Sequence, residues 1–286
     1  MIKKYWWAIL ALALAVFYFS GPKPVTPSFG SSLPQVPSGL TQIDEYLQER
    51  EAQFNLRPNN QAQIIWADST RKTNYVFLYL HGFSASQAEG YPFHTQLAQH
   101  FGANLYLARL AGHGLKENNL EDFSAEAGWQ SAKEALTLAA PLGDTLVILS
   151  TSTGCTYALM LAQYFPDKVF ALVNLAPNIR VKSAAAFLLN NPWGLQIAHQ
   201  VLGEKRQIDF DSAAYGLYWD TLYTTNAVVE LQSLLETAMT ADNFAKIHTP
   251  VINTFYYKNE AEQDQVVSTD AIRWMYENLA TPDSLK

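Results

Sequence analysis

The sequence predicts an α/β domain built on a mostly parallel sheet, with a helical insertion late in the chain. Three observations carry this. Apolar stretches uniform enough to be covered on both faces recur at residues 75–80, 104–110, 146–149 and 169–176. Helix-like segments alternate with them at 93–101, 129–140 and 157–162. The rhythm then breaks over residues 180–247, which are helical in tendency, rich in aromatics (Phe187, Trp193, Tyr215, Tyr218, Trp219, Tyr223) and without a strong strand signal. It resumes with a strand at 250–257 and a helix carrying Ala271, Ile272, Met275, Tyr276 and Leu279. The insertion reads as a cap over the carboxyl ends of the strands.

Taken in order, the first twenty residues are of another kind. Lys3 and Lys4 precede an uncharged run from Tyr5 to Phe19. A basic flank before an apolar segment fits either a signal peptide or a transmembrane anchor. Trp6, Trp7, Tyr18 and Phe19 stand at the two ends, as an interfacial belt would place them, and no small-x-small cleavage site follows. The reading favoured on these grounds is a retained signal-anchor with an extracytoplasmic domain. The alternatives are secretion after signal cleavage and a buried core helix. Residues 21–40 contain Pro22, Pro24, Pro27, Pro34 and Pro37 and read as a semi-rigid linker. Residues 41–286 form the main domain, starting with a short helix on which Ile43, Tyr46 and Leu47 share a face.

Composition narrows the function. Hydrophobic residues make up 49% of the chain, enough for a substantial core. A net charge of −7 argues against a nucleic-acid surface, which needs basic groups facing phosphates. A single cysteine, Cys155, rules out an intrachain disulfide. No His/Cys/Asp group has metal-ligand spacing, so neither metal nor organic cofactor is expected.

The chemistry centres on residues 146–155. Apolar Leu146–Leu149 runs into Ser150-Thr151-Ser152-Thr153-Gly154, and a helix follows at once. A strand that turns directly into a helix with a serine at the apex is the setting of a nucleophile elbow, which exposes a hydroxyl on a strained turn. Small residues are needed two positions either side of that serine, and here they are Ser150 and Gly154. The competing reading is a helix N-cap, where Ser and Thr satisfy orphan N–H groups. Three more pieces lie around it: His81-Gly82-Phe83 after one strand, Gly112-His113-Gly114 after the next, and Asp264-Gln265-Val266-Val267 after the post-cap strand.

In this order the four pieces resemble the α/β-hydrolase superfamily, specifically its capped serine esterases, similar to monoacylglycerol lipases and serine-aminopeptidase-like hydrolases. The resemblance covers Gln61 to the C-terminus. It implies Ser152 as nucleophile and backbone N–H groups of Phe83 and Thr153 as the oxyanion hole, which stabilises the charge developing on the former carbonyl oxygen. It implies Asp264 as the acid, with Glu260 and Glu262 as nearby competitors. His81, His113, Tyr218 and Trp219 are candidates for the substrate pocket, although His81 lies before the acid, where the family places no base, and a structural role fits it equally. The implied activity is hydrolysis of carboxylic esters, with a small-molecule or lipid-like substrate. Amide cleavage by the same constellation stays open, as does a non-catalytic hydrolase-fold module that binds ligands or scaffolds at the cell envelope.

One departure matters. The family places its base, a histidine, after the acid, but the six histidines here (81, 94, 100, 113, 199 and 248) all precede Asp264. Either the sequence is a truncated form of a longer hydrolase, cut before the final strand, or it lacks the base. The coexistence of elbow, oxyanion loop and acid favours truncation. For residues 1–286 the expectation is the same in both cases: feeble ester turnover, since losing the histidine of a serine-protease triad costs about 10⁶ in turnover.

Overall fold

The computed structural model describes residues 2–210, 212 and 214–286, with the side chains of residues 2–4 not described. Among the described residues eight strands form: β1 (Gln63–Ile65), β2 (Thr73–Leu80), β3 (Asn104–Leu107), β4 (Gly143–Thr151), β5 (Ala171–Leu175), β6 (Lys205–Gln207), β7 (Leu222–Thr224) and β8 (Val251–Thr254). The same residues hold ten α-helices: α1 (Ile2–Phe19), α2 (Leu40–Glu51), α3 (Phe93–Phe101), α4 (Ala125–Ala139), α5 (Thr153–Tyr164), α6 (Gly194–Leu202), α7 (Tyr215–Tyr218), α8 (Thr225–Ala238), α9 (Ala241–Phe244) and α10 (Thr269–Asn278).

The main sheet has the order β1-β3-β2-β4-β5-β8. Only β1, against β3, runs antiparallel; β2–β3, β2–β4, β4–β5 and β5–β8 are all parallel. This is the mostly parallel sheet the apolar strands call for. Strand β2 shows why they must be apolar throughout. Val76, Leu78 and Leu80 enter the large core on one face, while Phe77 and Tyr79 join Leu105, Leu107, Val147 and Leu149 on the other. Helices α4 and α5 cover the first face, supplying the buried Trp129, Leu136, Tyr157 and Leu161, and α3 covers the second with Ala98. Because β2 leads outward to β3 while β4 leads the other way to β5, the switch point lies between β2 and β4. Sheets of this type bind ligands outside the carboxyl ends of the strands at such a point.

The insertion between β5 and β8 holds helices α6 to α9, as expected, and also a feature the sequence reading lacked. Strands β6 and β7 pair antiparallel as a two-stranded ribbon, with Arg206 opposite Tyr223. All three residues of β6 are exposed, so no apolar alternation announces it.

The N-terminus requires a correction. The run from Tyr5 to Phe19 is helical in α1, but among the described residues no helix is long and apolar enough to cross a membrane. The transmembrane helix, signal-anchor and membrane-anchored location therefore fall. The physical reason is length and ends. Eighteen residues at ~1.5 Å rise span about 27 Å, short of a ~30 Å hydrocarbon core, and two lysines fall within them. Residues 21–39 lie along α4 and α6. Gly30 O accepts the Trp129 indole N–H at 2.9 Å, Ser32 O accepts Lys133 Nζ at 2.8 Å, and Pro22 O accepts Trp193 N–H at 2.9 Å.

Candidate active site

The site is assembled where β2 and β4 end. Strand β4 stops at Thr151, and α5 starts at Thr153, leaving Ser152 alone to make the reversal. Its backbone sits at φ 52°, ψ −117°, a conformation that costs a non-glycine residue on the order of 1–3 kcal/mol. Ser152 occupies the N-cap position of α5, yet its side chain makes no capping hydrogen bond. The hydroxyl is thus presented rather than spent on the helix. Three backbone bonds hold the turn: Ser152 N–H to Leu175 O at 2.9 Å, and Cys155 and Asn178 N–H to Ser152 O at 3.0 and 3.1 Å.

The small neighbours have separate reasons. A Cβ on Gly154 would lie 2.1 Å from Leu80 O and 2.8 Å from His81 O, so α5 can dock on the end of β2 only with glycine there. Ser150, where the family pattern usually has glycine, is fully buried and donates its hydroxyl to Asn174 Oδ1 at 2.8 Å. Asn174 in turn donates to Asn253 Oδ1 at 2.9 Å, so a polar chain crosses β4, β5 and β8 beneath the elbow. Asn178, after β5, adds a bond to Thr153 Oγ1 at 3.2 Å and accepts Thr156 Oγ1 at 2.7 Å through its backbone oxygen. No local sequence pattern marks Asn174 and Asn178 as supports of the elbow.

The loop after β2 is equally determined. Along Gly82–Ala85, Gly82 N–H donates to Glu89 Oε2 at 2.7 Å, Ser84 N–H to His113 Nε2 at 3.1 Å, and Ala85 N–H to Gly82 O at 3.3 Å. The N–H of Phe83 is the one left without a partner among the described residues, as is that of Thr153 at the first turn of α5. Two free N–H groups thus flank the elbow, on the residues the resemblance assigns to an oxyanion hole. The Phe83 ring packs edge-on against Phe123 and Tyr223, each with centroids 5.4 Å away.

His81 and His113 are both buried, with both ring nitrogens engaged. His81 Nε2 accepts Leu110 N–H at 3.1 Å and its Nδ1 faces Gly82 O at 2.9 Å; His113 Nδ1 faces Ala111 O at 2.8 Å. Burial holds His81 down at about 4 and His113 well below the usual range, so both rings are neutral braces of this loop. Arg109 steadies the neighbouring turn through a buried bidentate pair with Glu51, at 2.6 and 3.1 Å.

Asp264 lies in the loop after β8, half-buried. Its Oδ1 accepts Val266 and Val267 N–H at 2.8 and 2.9 Å, while its Oδ2 has no partner among the described residues. Strand β8 brings this loop to the same end of the sheet as the elbow, because Thr254 pairs with Leu175 and Leu175 O holds Ser152 N–H. Glu260 and Glu262 are exposed and occupied by Tyr257 and Lys258.

From the cap, Trp219 stacks on Tyr215 at 4.3 Å, and its carbonyl accepts Arg57 Nη1 at 3.1 Å; Tyr218 is half-buried on α7. The adjacent Asp220 is buried, paired with Arg57 at 2.5 Å, and donates its N–H to Ser84 O at 2.6 Å, tying the cap to the loop that carries Phe83. Burial raises its carboxyl to about 7 against the pull of Arg57. Among the described residues no group of three or more His, Cys, Asp or Glu side chains could hold a metal ion.

No known protein-family profile and no curated protein matches the sequence. Solved structures do. A chain from LipS and LipT, two metagenome-derived lipolytic enzymes, superposes with TM-score 0.64 at 16% identity over 79% of this chain and 85% of its own. The Paleococcus ferrophilus monoacylglycerol lipase gives 0.54 at 15% identity, over 78% and 85%. Est1E from Butyrivibrio proteoclasticus, with ferulic acid bound, gives 0.51 at 18% identity, over 77% and 82%. The chain has the fold of the α/β-hydrolase superfamily.

Proposed function

We propose that this protein is a serine hydrolase acting on carboxylic esters. Ser152 is the nucleophile, the N–H groups of Phe83 and Thr153 receive the oxyanion, and Asp264 is the acid that orients a base. The observation that carries the reading is the combination at the elbow: a serine at φ 52° whose hydroxyl caps nothing, between two unpartnered N–H groups. The three lipolytic or esterase-type structures of similar fold agree with ester hydrolysis in general. An acylglycerol or other lipid ester is the narrower substrate class we propose, on the apolar aromatic surroundings of Phe83, whose ring packs against Phe123 and Tyr223.

The base is the weak point of residues 1–286. No histidine follows Asp264, and His81 and His113 would have to break bonds that hold the oxyanion loop before taking a proton. Turnover by this chain alone is therefore expected to be low. Free imidazole can supply the missing function: it accepts the Ser152 proton as the hydroxyl attacks the ester carbonyl, and returns a proton to the departing alkoxide. The test is fluorophosphonate labelling with and without imidazole. Labelling confined to Ser152, faster with imidazole and lost in Ser152→Ala, supports the enzyme. Absence of Ser152 labelling under both conditions favours the non-catalytic ligand-binding module.

A further inference from the structure

One acidic side chain beside the elbow has no part in the mechanism above. Glu89 lies within the 3₁₀ turn Gln87–Gly90 and reaches back under the oxyanion loop. Its Oε2 accepts Gly82 N–H at 2.7 Å and lies 3.4 Å from the Tyr79 hydroxyl, which is itself 2.9 Å from Thr151 Oγ1. Its Oε1 has no partner among the described residues. The position of that oxygen follows from Gly82: a methyl group on its Cα would lie 3.0 Å from Glu89 Oε1 and 3.1 Å from Ser152 Cβ. Both lie against the same point, so the carboxyl oxygen stands no more than about 6 Å from the Cβ of the nucleophile.

Resting on the serine hydrolase reading, we propose that Glu89 is a specificity-determining residue which makes this site reject esters carrying a negative charge on the acyl group and accept neutral ones. The carboxyl does two things. Through Oε2 it takes up the Gly82 N–H, so that Phe83's is the one left for substrate. Through Oε1 it sets the electrostatics of the acyl space. The charged or titratable groups facing it are Tyr79 from β2, Cys155 from α5 and Tyr215 from α7, and all three are neutral near pH 7, since burial raises each of them. Among the described residues no cation lies close enough to offset the carboxylate. Two unit charges about 5 Å apart at an effective dielectric near 20 repel by an amount worth roughly a hundredfold in rate.

The assay compares two 4-nitrophenyl esters of similar size, the butyrate and the singly charged hemisuccinate, with imidazole present. Rates are taken as the difference from Ser152→Ala. Wild type is expected to favour butyrate at pH 8 and to relax that preference towards pH 6, because burial raises the Glu89 carboxyl to about 7 and it becomes neutral. Glu89→Gln keeps an oxygen for Gly82 N–H, and the readout is the ratio of the two rates, which a uniform loss of activity leaves unmoved. Its preference should shrink by ten- to a hundredfold and lose its pH dependence. An unchanged, pH-independent preference in Glu89→Gln, with Ser152-dependent turnover intact, overturns this proposal alone. No Ser152-dependent turnover in either protein overturns it together with the hydrolase reading. A merely structural role for Glu89 would lower both rates and leave the ratio unmoved.

Discussion

Replacing Gly154 by alanine tests the geometry of the elbow without touching its chemistry. The added Cβ would fall 2.1 Å from Leu80 O, 2.6 Å from Leu80 C and 2.8 Å from His81 O. All three are backbone atoms at the end of β2, pinned by pairing with β4 and by Gly82's bond to Glu89. Carbonyl oxygen and carbon approach no closer than about 3 Å, so α5 and β2 must separate by on the order of 1 Å. Overpacking typically costs about 1–3 kcal/mol, and with no flexible side chain to yield we expect the upper end of that range or beyond. The movement would also carry Thr153 N–H off its place, and a misplacement of about 1 Å costs roughly 10²-fold in a positioned reaction. Denaturant melts should therefore show a loss of about 3 kcal/mol, with slower fluorophosphonate labelling of the remaining folded protein. Gly30→Ala, where nothing lies within 4 Å, is the control and should stay within about 0.5 kcal/mol of wild type. A Gly154→Ala protein as stable as that control would refute the close docking of α5 on β2.

Ser150→Gly restores the usual elbow glycine but strands Asn174 Oδ1 in the core; a loss of about 1–3 kcal/mol is expected in urea melts. Arg57→Ala leaves Asp220 buried without its ion-pair partner and should cost about 3–5 kcal/mol by denaturant melts, unless Asp220→Asn accompanies it and recovers part of the loss. The raised Glu89 carboxyl favours the folded state below its unfolded value near 4.5, and that contribution is lost as pH rises towards 7. In Glu89→Gln the loss disappears, so between pH 4.5 and 6.5 the variant should gain stability relative to wild type by up to about 1.4 kcal/mol per pH unit; parallel stability curves would contradict the raised carboxyl.

How much of this was legible depended on whether the determining contacts are local. The apolar runs at 75–80 and 146–149 declare covered parallel strands because both of their faces meet helices, and Val76 and Phe77 land in opposite cores as that pattern requires. The elbow was readable because its demand for small residues is confined to a few positions. What escaped was set by tertiary neighbours. Glu89 looks like any surface acid until the chain folds it back onto Gly82, seven residues earlier. Ser150 reads as a relaxed motif until Asn174 is seen opposite it. Strand β6 is exposed at every position and pairs only because β7 lies beside it. The run from Tyr5 to Phe19 has the composition of a membrane segment without the length, and among the described residues no helix is long and apolar enough to cross a membrane.

The central claim is that Ser152 is a nucleophile poised between the N–H groups of Phe83 and Thr153. Peptide mapping after fluorophosphonate treatment in the presence of imidazole measures this most directly. The adduct is expected on Ser152 alone, at a rate that rises with imidazole and vanishes in Ser152→Ala. Modification of other serines at the same rate as Ser152, or none at Ser152, would contradict it.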